Sequence, residues 1–190
     1  MKIISELIKI NISLLVIITC YIGYYLGLRS MGLTMVEYQS WIIFLILVLG
    51  VFLSSSGASI LNQYIERHHD AKMNRTKNRP IPSKKIKAQT ALFLGIFLSI
   101  IGPLVLCLIN FLTAFISFLT ILIYIAIYTP SKRITSFNTI IGSIPGALPP
   151  VGGWAAATGQ ININALMLFG ILFCWQIPHF LSLAIIYKDD

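Results

Sequence analysis

Charge is what this chain has least of. Only 11% of its 190 residues are Asp, Glu, Lys or Arg, and six of these are acidic, whereas a soluble domain carries about 25% charged residues. With 57% hydrophobic residues and a mean hydropathy of +0.86, a soluble globular chain is excluded. The net charge of +8 sits on a chain too apolar to stay in water as a disordered nucleic-acid coat. No nucleic-acid partner is therefore expected, and the lipid bilayer is. Cysteine is also scarce: Cys20, Cys107 and Cys174 each stand alone in an apolar stretch, which leaves no disulfide framework and no thiolate metal site. Strict alternation of apolar and polar residues is missing from runs such as 41–49, so a strand-built barrel is excluded as well. The apolar N-terminal segment has no small-x-small cleavage site, and reads as a retained helix.

Long uncharged stretches are abundant. A helix needs about 20 apolar residues to cross a bilayer, and the chain supplies six such lengths, near 10–28, 41–62, 90–109, 111–128, 139–157 and 165–187. Asn110 and the polar run 158–162 mark the two uncharged turns. The expected fold is an all-α polytopic transmembrane bundle forming a single membrane domain over 1–190, with one long polar insertion at 62–90. Eight of the 14 Lys/Arg lie between Arg67 and Lys87, and alternating spans place 13 of the 14 on one side, with Arg29 opposite. That bias puts the N-terminus in the cytoplasm.

Chemistry concentrates at the end of the second span. Asn62, Glu66 and Asp70 follow one another at intervals of four; on a helix that spacing turns the side chain by about 40° per step and lines the three along one face. Two carboxylates so stacked repel unless cations stand between them. Oxygen donors without Cys or His spacing suit a hard cation, and Mg²⁺ takes one or two carboxylates together with substrate phosphate oxygens. Arg67, Lys72, Arg75, Lys77 and Arg79 follow at once, and arginine grips phosphate bidentately. The neighbouring His68 and His69 point in different directions on a helix and read as solvated.

The string from Asn62 to Pro80, with its trailing Met73-x-Arg75-Thr76-Lys77-x-Arg79-Pro80, resembles the first aspartate-rich motif of the UbiA-type intramembrane prenyltransferases. Two further stretches carry the same resemblance: Tyr128-Thr-Pro-Ser-Lys132-Arg133 continuing to Trp154, and Cys174-Trp175-Gln176-Ile-Pro178-His179-Phe180. Within that family they are most similar to its haem-farnesylating branch. The resemblance implies a nine-span bundle with a cavity open to the cytoplasm, and conversion of haem B to haem O with farnesyl diphosphate and Mg²⁺. It implies that Asn62, Glu66 and Asp70 hold the metal-bound diphosphate and are the catalytic set. Arg75, Lys77 and Arg79, flanked by Arg67 and Lys72, would neutralise the diphosphate, while Lys132 and Arg133 reach it from the opposite side. His179 would contact the haem, and Asp189-Asp190 would open the second acidic motif. By the same resemblance three more helices belong beyond Asp190, so the chain reads as C-terminally truncated.

Two departures stand out. Glu66 occupies a position where the family usually has Asp, and Lys9-Ile10 replaces a Lys-Pro pair. Trp154, Trp175 and Phe180, in spans interrupted by Pro145, Pro149, Pro150 and Pro178, offer aromatic faces to a carbocation. Alternatives are prenylation of an aromatic quinone precursor, or a non-catalytic haem-binding or transport role; the latter would not require the oxygen row.

Overall fold

The computed structural model describes residues 2–135 and 137–186, and among these residues every regular element is a helix. A short helix α1 (Lys2–Leu7) precedes α2 (Ile10–Ser30), α3 (Tyr38–Asp70) and α4 (Ala88–Leu106). Helix α5 starts at Phe111–Leu122, widens into a π turn over Ile123–Tyr128 and closes on Thr129–Ser131. It is followed by α6 (Asn138–Thr158) and α7 (Ile163–Ile186). All six expected spans are present as helices, and five of them, all but α6, are long and apolar enough to cross a membrane. The chain is an integral, multi-pass membrane protein.

Helix α6 is enclosed by its neighbours. It carries Pro145, Pro149, Pro150 and several glycines, and about half of it is buried. Helix α2 packs along one side of it and α5 and α7 along others. The α2–α6 contact is backbone against backbone: a Cβ on Gly23 would overlap the Pro150 carbonyl oxygen, and one on Gly153 would overlap the Cys20 carbonyl oxygen. Lipid tails give helices no hydrophobic reason to associate, so close approach through small residues supplies the dispersion energy instead. Helices α3 and α4 use the same device, with Gly50 and Ser54 against Gly102, and Gly57 against Ser99.

Both uncharged turns fall where expected. Asn110 caps α5 by accepting from the Thr113 N–H at 2.8 Å and donates its amide to the Ala155 carbonyl at 2.9 Å, tying the turn to α6. Gly159, with φ of 70°, ends α6, and Asn162 accepts from the Ala165 N–H at the start of α7.

Two features differ from the sequence-based expectation, and both shape the opposite, basic end. Helix α3 runs unbroken to Asp70, so the non-helical insertion is 71–87 rather than 62–90. The N-terminus also forms α1, docked on α3 by Leu7, which packs with Ile60, Ile81 and Ala91. The buried Gln63 donates to both the Glu6 and Leu7 carbonyls, at 3.1 and 2.8 Å, satisfying two of α1's terminal acceptors. The chain then breaks at Lys9, which adopts a left-handed conformation (φ 50°, ψ 57°) before α2 begins.

Gly153→Ala should separate α2 from α6 at a cost of about 2–3 kcal/mol, read as a lower midpoint in detergent unfolding. Gly170→Ala, whose new Cβ meets nothing within 4 Å, should leave the midpoint unchanged.

Candidate active site

Because α3 continues to Asp70, the Asn62, Glu66 and Asp70 side chains do share one regular helical face, and each meets a basic side chain from a different segment. Lys9 Nζ donates to Asn62 Oδ1 at 3.1 Å. Lys132 Nζ donates to Glu66 Oε1 at 2.9 Å. Arg79 Nη1 reaches both Asp70 oxygens, at 2.8 and 2.7 Å. Three cations thus face two carboxylates and an amide, which removes the repulsion that the bare row would suffer. Asn62 and Asp70 are buried, 1% and 3% exposed, so these are not screened surface pairs.

Each cation is held by local structure. Thr76, itself buried, donates its hydroxyl to the Asp70 carbonyl at 3.0 Å and folds the chain after α3 back on itself, so that Arg79 returns to the carboxylate. Lys132 lies 4.7 Å over the Tyr128 ring, and that ring is wedged against Gly142 of α6. The Lys9 ammonium is aimed by the break between α1 and α2. Beside the row opens a cleft of about 600 Å³, lined by Lys9, Arg75, Arg79 and Lys85 with Glu6 and Asn78. It is a basic recess with room for an anion.

Not every residue chosen from sequence joins this arrangement. Arg67 turns back to the Tyr64 carbonyl at 2.7 Å and stacks over the Tyr64 ring. Lys77 bonds the Asn74 side chain at 2.9 Å, and Lys72 and Arg133 are exposed. Trp175 and His179 stack on one another with ring centroids 5.0 Å apart on the exposed side of α7, a helix that packs on α6 rather than on α3. His68 and His69 are exposed, as their adjacency predicts. Trp154 is buried with Ile116, Val151, Ala155 and Ala165 toward the far end of α6, so it lines core and not the basic recess. Asp189 and Asp190 lie outside the described residues.

Lys9, Thr76 and Thr129 were not among the residues that the sequence assigned to the site. The signal for Lys9 was present in its place just before the first span, and that for Thr129 in its place between Tyr128 and Pro130. Only the fold shows what either touches.

The row offers oxygen alone, and among the described residues no three His, Cys, Asp or Glu gather as a metal cluster. The donors fit a hard divalent cation such as Mg²⁺ in kind, with Glu66, Asp70 and Asn62 as the protein's share and the remaining positions left to water and phosphate oxygens. Lys9 is the group whose chemistry the site alters most plainly. Burial, and then the nearby Arg79 and Lys132 charges, pull its pKa from 10.5 down to about 8, against the opposing pull of Glu66 and Asp70.

The sequence matches the UbiA prenyltransferase family over residues 14–190. It is 44% identical over 188 residues to a protein named protoheme IX farnesyltransferase from Solibacter usitatus (strain Ellin6076), covering 97% of this chain and 64% of that protein. It is 40% identical over 187 residues to the protein of that name from Koribacter versatilis (strain Ellin345), covering 98% and 59%. A third protein of the name, from Flavobacterium johnsoniae, is 37% identical over 187 residues, covering 98% and 60%. The chain therefore spans about 60% of the length of these curated relatives. No solved structure matches it.

The lowered Lys9 pKa fixes the sign of a pH effect. Between about 8, in the folded protein, and 10.5, in the unfolded one, the unfolded chain holds the extra proton, so stability rises with pH in that window. Detergent unfolding at pH 8.0 and 9.5 should show the wild type gaining, by no more than about 1.4 kcal/mol per pH unit. Lys9→Met should lose that gain.

Proposed function

From a chain that belongs to the UbiA prenyltransferase family, we propose a protoheme IX farnesyltransferase, moving the farnesyl group of farnesyl diphosphate to the vinyl group of haem B to give haem O. The observation that carries the reading is the buried row Asn62, Glu66, Asp70, met by Lys9, Lys132 and Arg79 beside a basic cleft. The similarity to proteins named for this reaction supports the choice of substrates.

In this reading Arg79, Lys132 and Lys9, with Arg75 at the cleft wall, draw the diphosphate to the end of α3. Mg²⁺, held by Glu66, Asp70 and Asn62, would supply charge compensation for the leaving group. The protein's basic side chains stabilise the negative charge that grows on the diphosphate as the allylic C–O bond lengthens. The apolar helices around the site exclude the water that would quench the allylic cation, so the electron-rich vinyl carbon captures it; the positive charge passes to the carbon beside the porphyrin, where one water adds and loses a proton to leave the hydroxyl of haem O. Arg67, Lys72, Lys77 and Arg133 hold the diphosphate's approach basic; Trp175 and His179, on α7, present an aromatic and imidazole face for the porphyrin; and Asp189-Asp190 extends the acidic set. The basic end lies in the cytoplasm, the N-terminus with it, in a bacterial plasma membrane.

Asp70→Asn keeps the shape of the side chain but removes its charge, strands Arg79, and should lower haem O formation by about 10²–10³. The assay is membranes holding the protein, supplied with haem B, farnesyl diphosphate and Mg²⁺, with haem O read by chromatography. Undiminished product from the variant would sink the assignment.

A further inference from the structure

The row presents a carbonyl oxygen at its first position only if the Asn62 amide is turned the right way round. An amide's two ends are nearly equal in size and opposite in hydrogen-bonding character: the oxygen accepts and the nitrogen donates. Asn62 is 1% exposed, so water does not arbitrate between them. Something in the protein has to choose.

The choice is made at the C-terminal end of the π turn. Thr129, 0% exposed, donates its hydroxyl hydrogen to the Tyr124 carbonyl at 2.8 Å. That carbonyl also accepts the Thr129 N–H, the five-residue bond that defines the wide turn. With its one hydrogen committed, the Thr129 hydroxyl faces Asn62 only as an acceptor, and it takes the hydrogen of Asn62 Nδ2 at 3.1 Å. The amide oxygen is thereby sent the other way, to Lys9 Nζ at 3.1 Å, which as an ammonium has donors and no acceptor. The reversed amide would set two donors against Lys9 and leave its oxygen against the Thr129 oxygen.

We infer that Thr129 is a positioning residue: the π turn commits its hydroxyl as an acceptor, and this fixes Asn62 with its oxygen toward the row, where the proposed function needs a ligand oxygen. The inference rests on that reading for the use of the oxygen, while the orientation itself rests on Thr129 and Lys9 alone. Thr129 and Lys9 are joined through the Asn62 amide and have no bond to each other, so a coupling between them reports its orientation.

Two measurements test this. In detergent melts, Thr129→Val should lower the melting temperature by about 4 °C when Lys9 is present, and by less than about half of that in a Lys9→Met background, where a reversed amide meets no ammonium. Thr129→Ser should stay near wild type in both. Equal losses in the two backgrounds would make Thr129 a packing residue and overturn the inference. The second measurement is Mn²⁺ binding in the presence of inorganic pyrophosphate, followed by the electron spin resonance of free Mn²⁺. Thr129→Val should weaken it by about tenfold, Thr129→Ser by less than about threefold, and Thr129→Val in an Asn62→Asp background by less than about threefold, because either carboxylate oxygen then serves. A tenfold loss that persists in the Asn62→Asp background also overturns the inference. If the unaltered protein binds no Mn²⁺, the metal reading of the row fails, and the melts still decide the orientation.

Discussion

Everything at the basic end of this protein depends on neutralising oxygen atoms that α3 carries into a buried position. Two carboxylates stacked along one helical face, one of them 3% exposed, are unfavourable unless positive charge lies against them. The chain brings that charge from three separate places: Lys9 from before α2, Arg79 from the loop after α3, and Lys132 from after α5. Each pair is also a tether, so three otherwise independent segments are tied to the last two turns of one helix. The electrostatic requirement of the row and the ordering of the basic end are one constraint.

That constraint explains local features that would otherwise look like irregularities. The left-handed Lys9, the Gln63 clamp on the α1 carbonyls, the Thr76 bond to Asp70 and the π turn in α5 all lie at the same end of the bundle. Each sets the direction of a side chain facing the row or of its counter-charge. A left-handed residue that is not glycine costs of the order of 1–2 kcal/mol, and a π turn gives up regular hydrogen-bond geometry. Such costs persist where the surrounding structure over-determines them. Here the surroundings are glycine-mediated contacts between α2 and α6 and between α3 and α4, which fix the helices closely enough for side chains to meet across them.

The sequence made the helices and the row legible for simple physical reasons. Uncharged length reports a membrane span, and spacing by four reports a helical face, so six helices and the Asn62–Glu66–Asp70 alignment followed directly. Counter-charges are harder, because pairing across 53 residues, as for Lys9 and Asn62, leaves no periodic trace. Among the basic residues, Arg79 and Lys132 reach the row, whereas Arg67 and Lys77 satisfy themselves on their own segments. Composition treats all four alike; only backbone direction separates them. The widening of α5 was hidden too, since the run from Ile123 to Tyr128 is as apolar as any ordinary span and its altered bonding appears only in three dimensions.

A row already neutralised from within has a consequence for how it is used. Lys9, Lys132 and Arg79 set against Glu66 and Asp70 leave the site with one positive charge, before Arg75 and Lys85 at the cleft wall are counted. A bare divalent cation approaching it meets net repulsion, and three of the four carboxylate oxygens it seeks are already bonded to a nitrogen. An anion approaching alone meets attraction, and would draw the ammonium and guanidinium groups outward, away from the oxygens they cover. In the proposed function, metal and diphosphate would therefore favour one another's binding: the anion would engage the cations that block the metal, and the metal would compensate the carboxylates that those cations leave. The same pairs that stabilise the buried row would make it respond to the two ligands together, so the charge pattern that lets α3 bury its oxygens is also the one that suits the proposed chemistry.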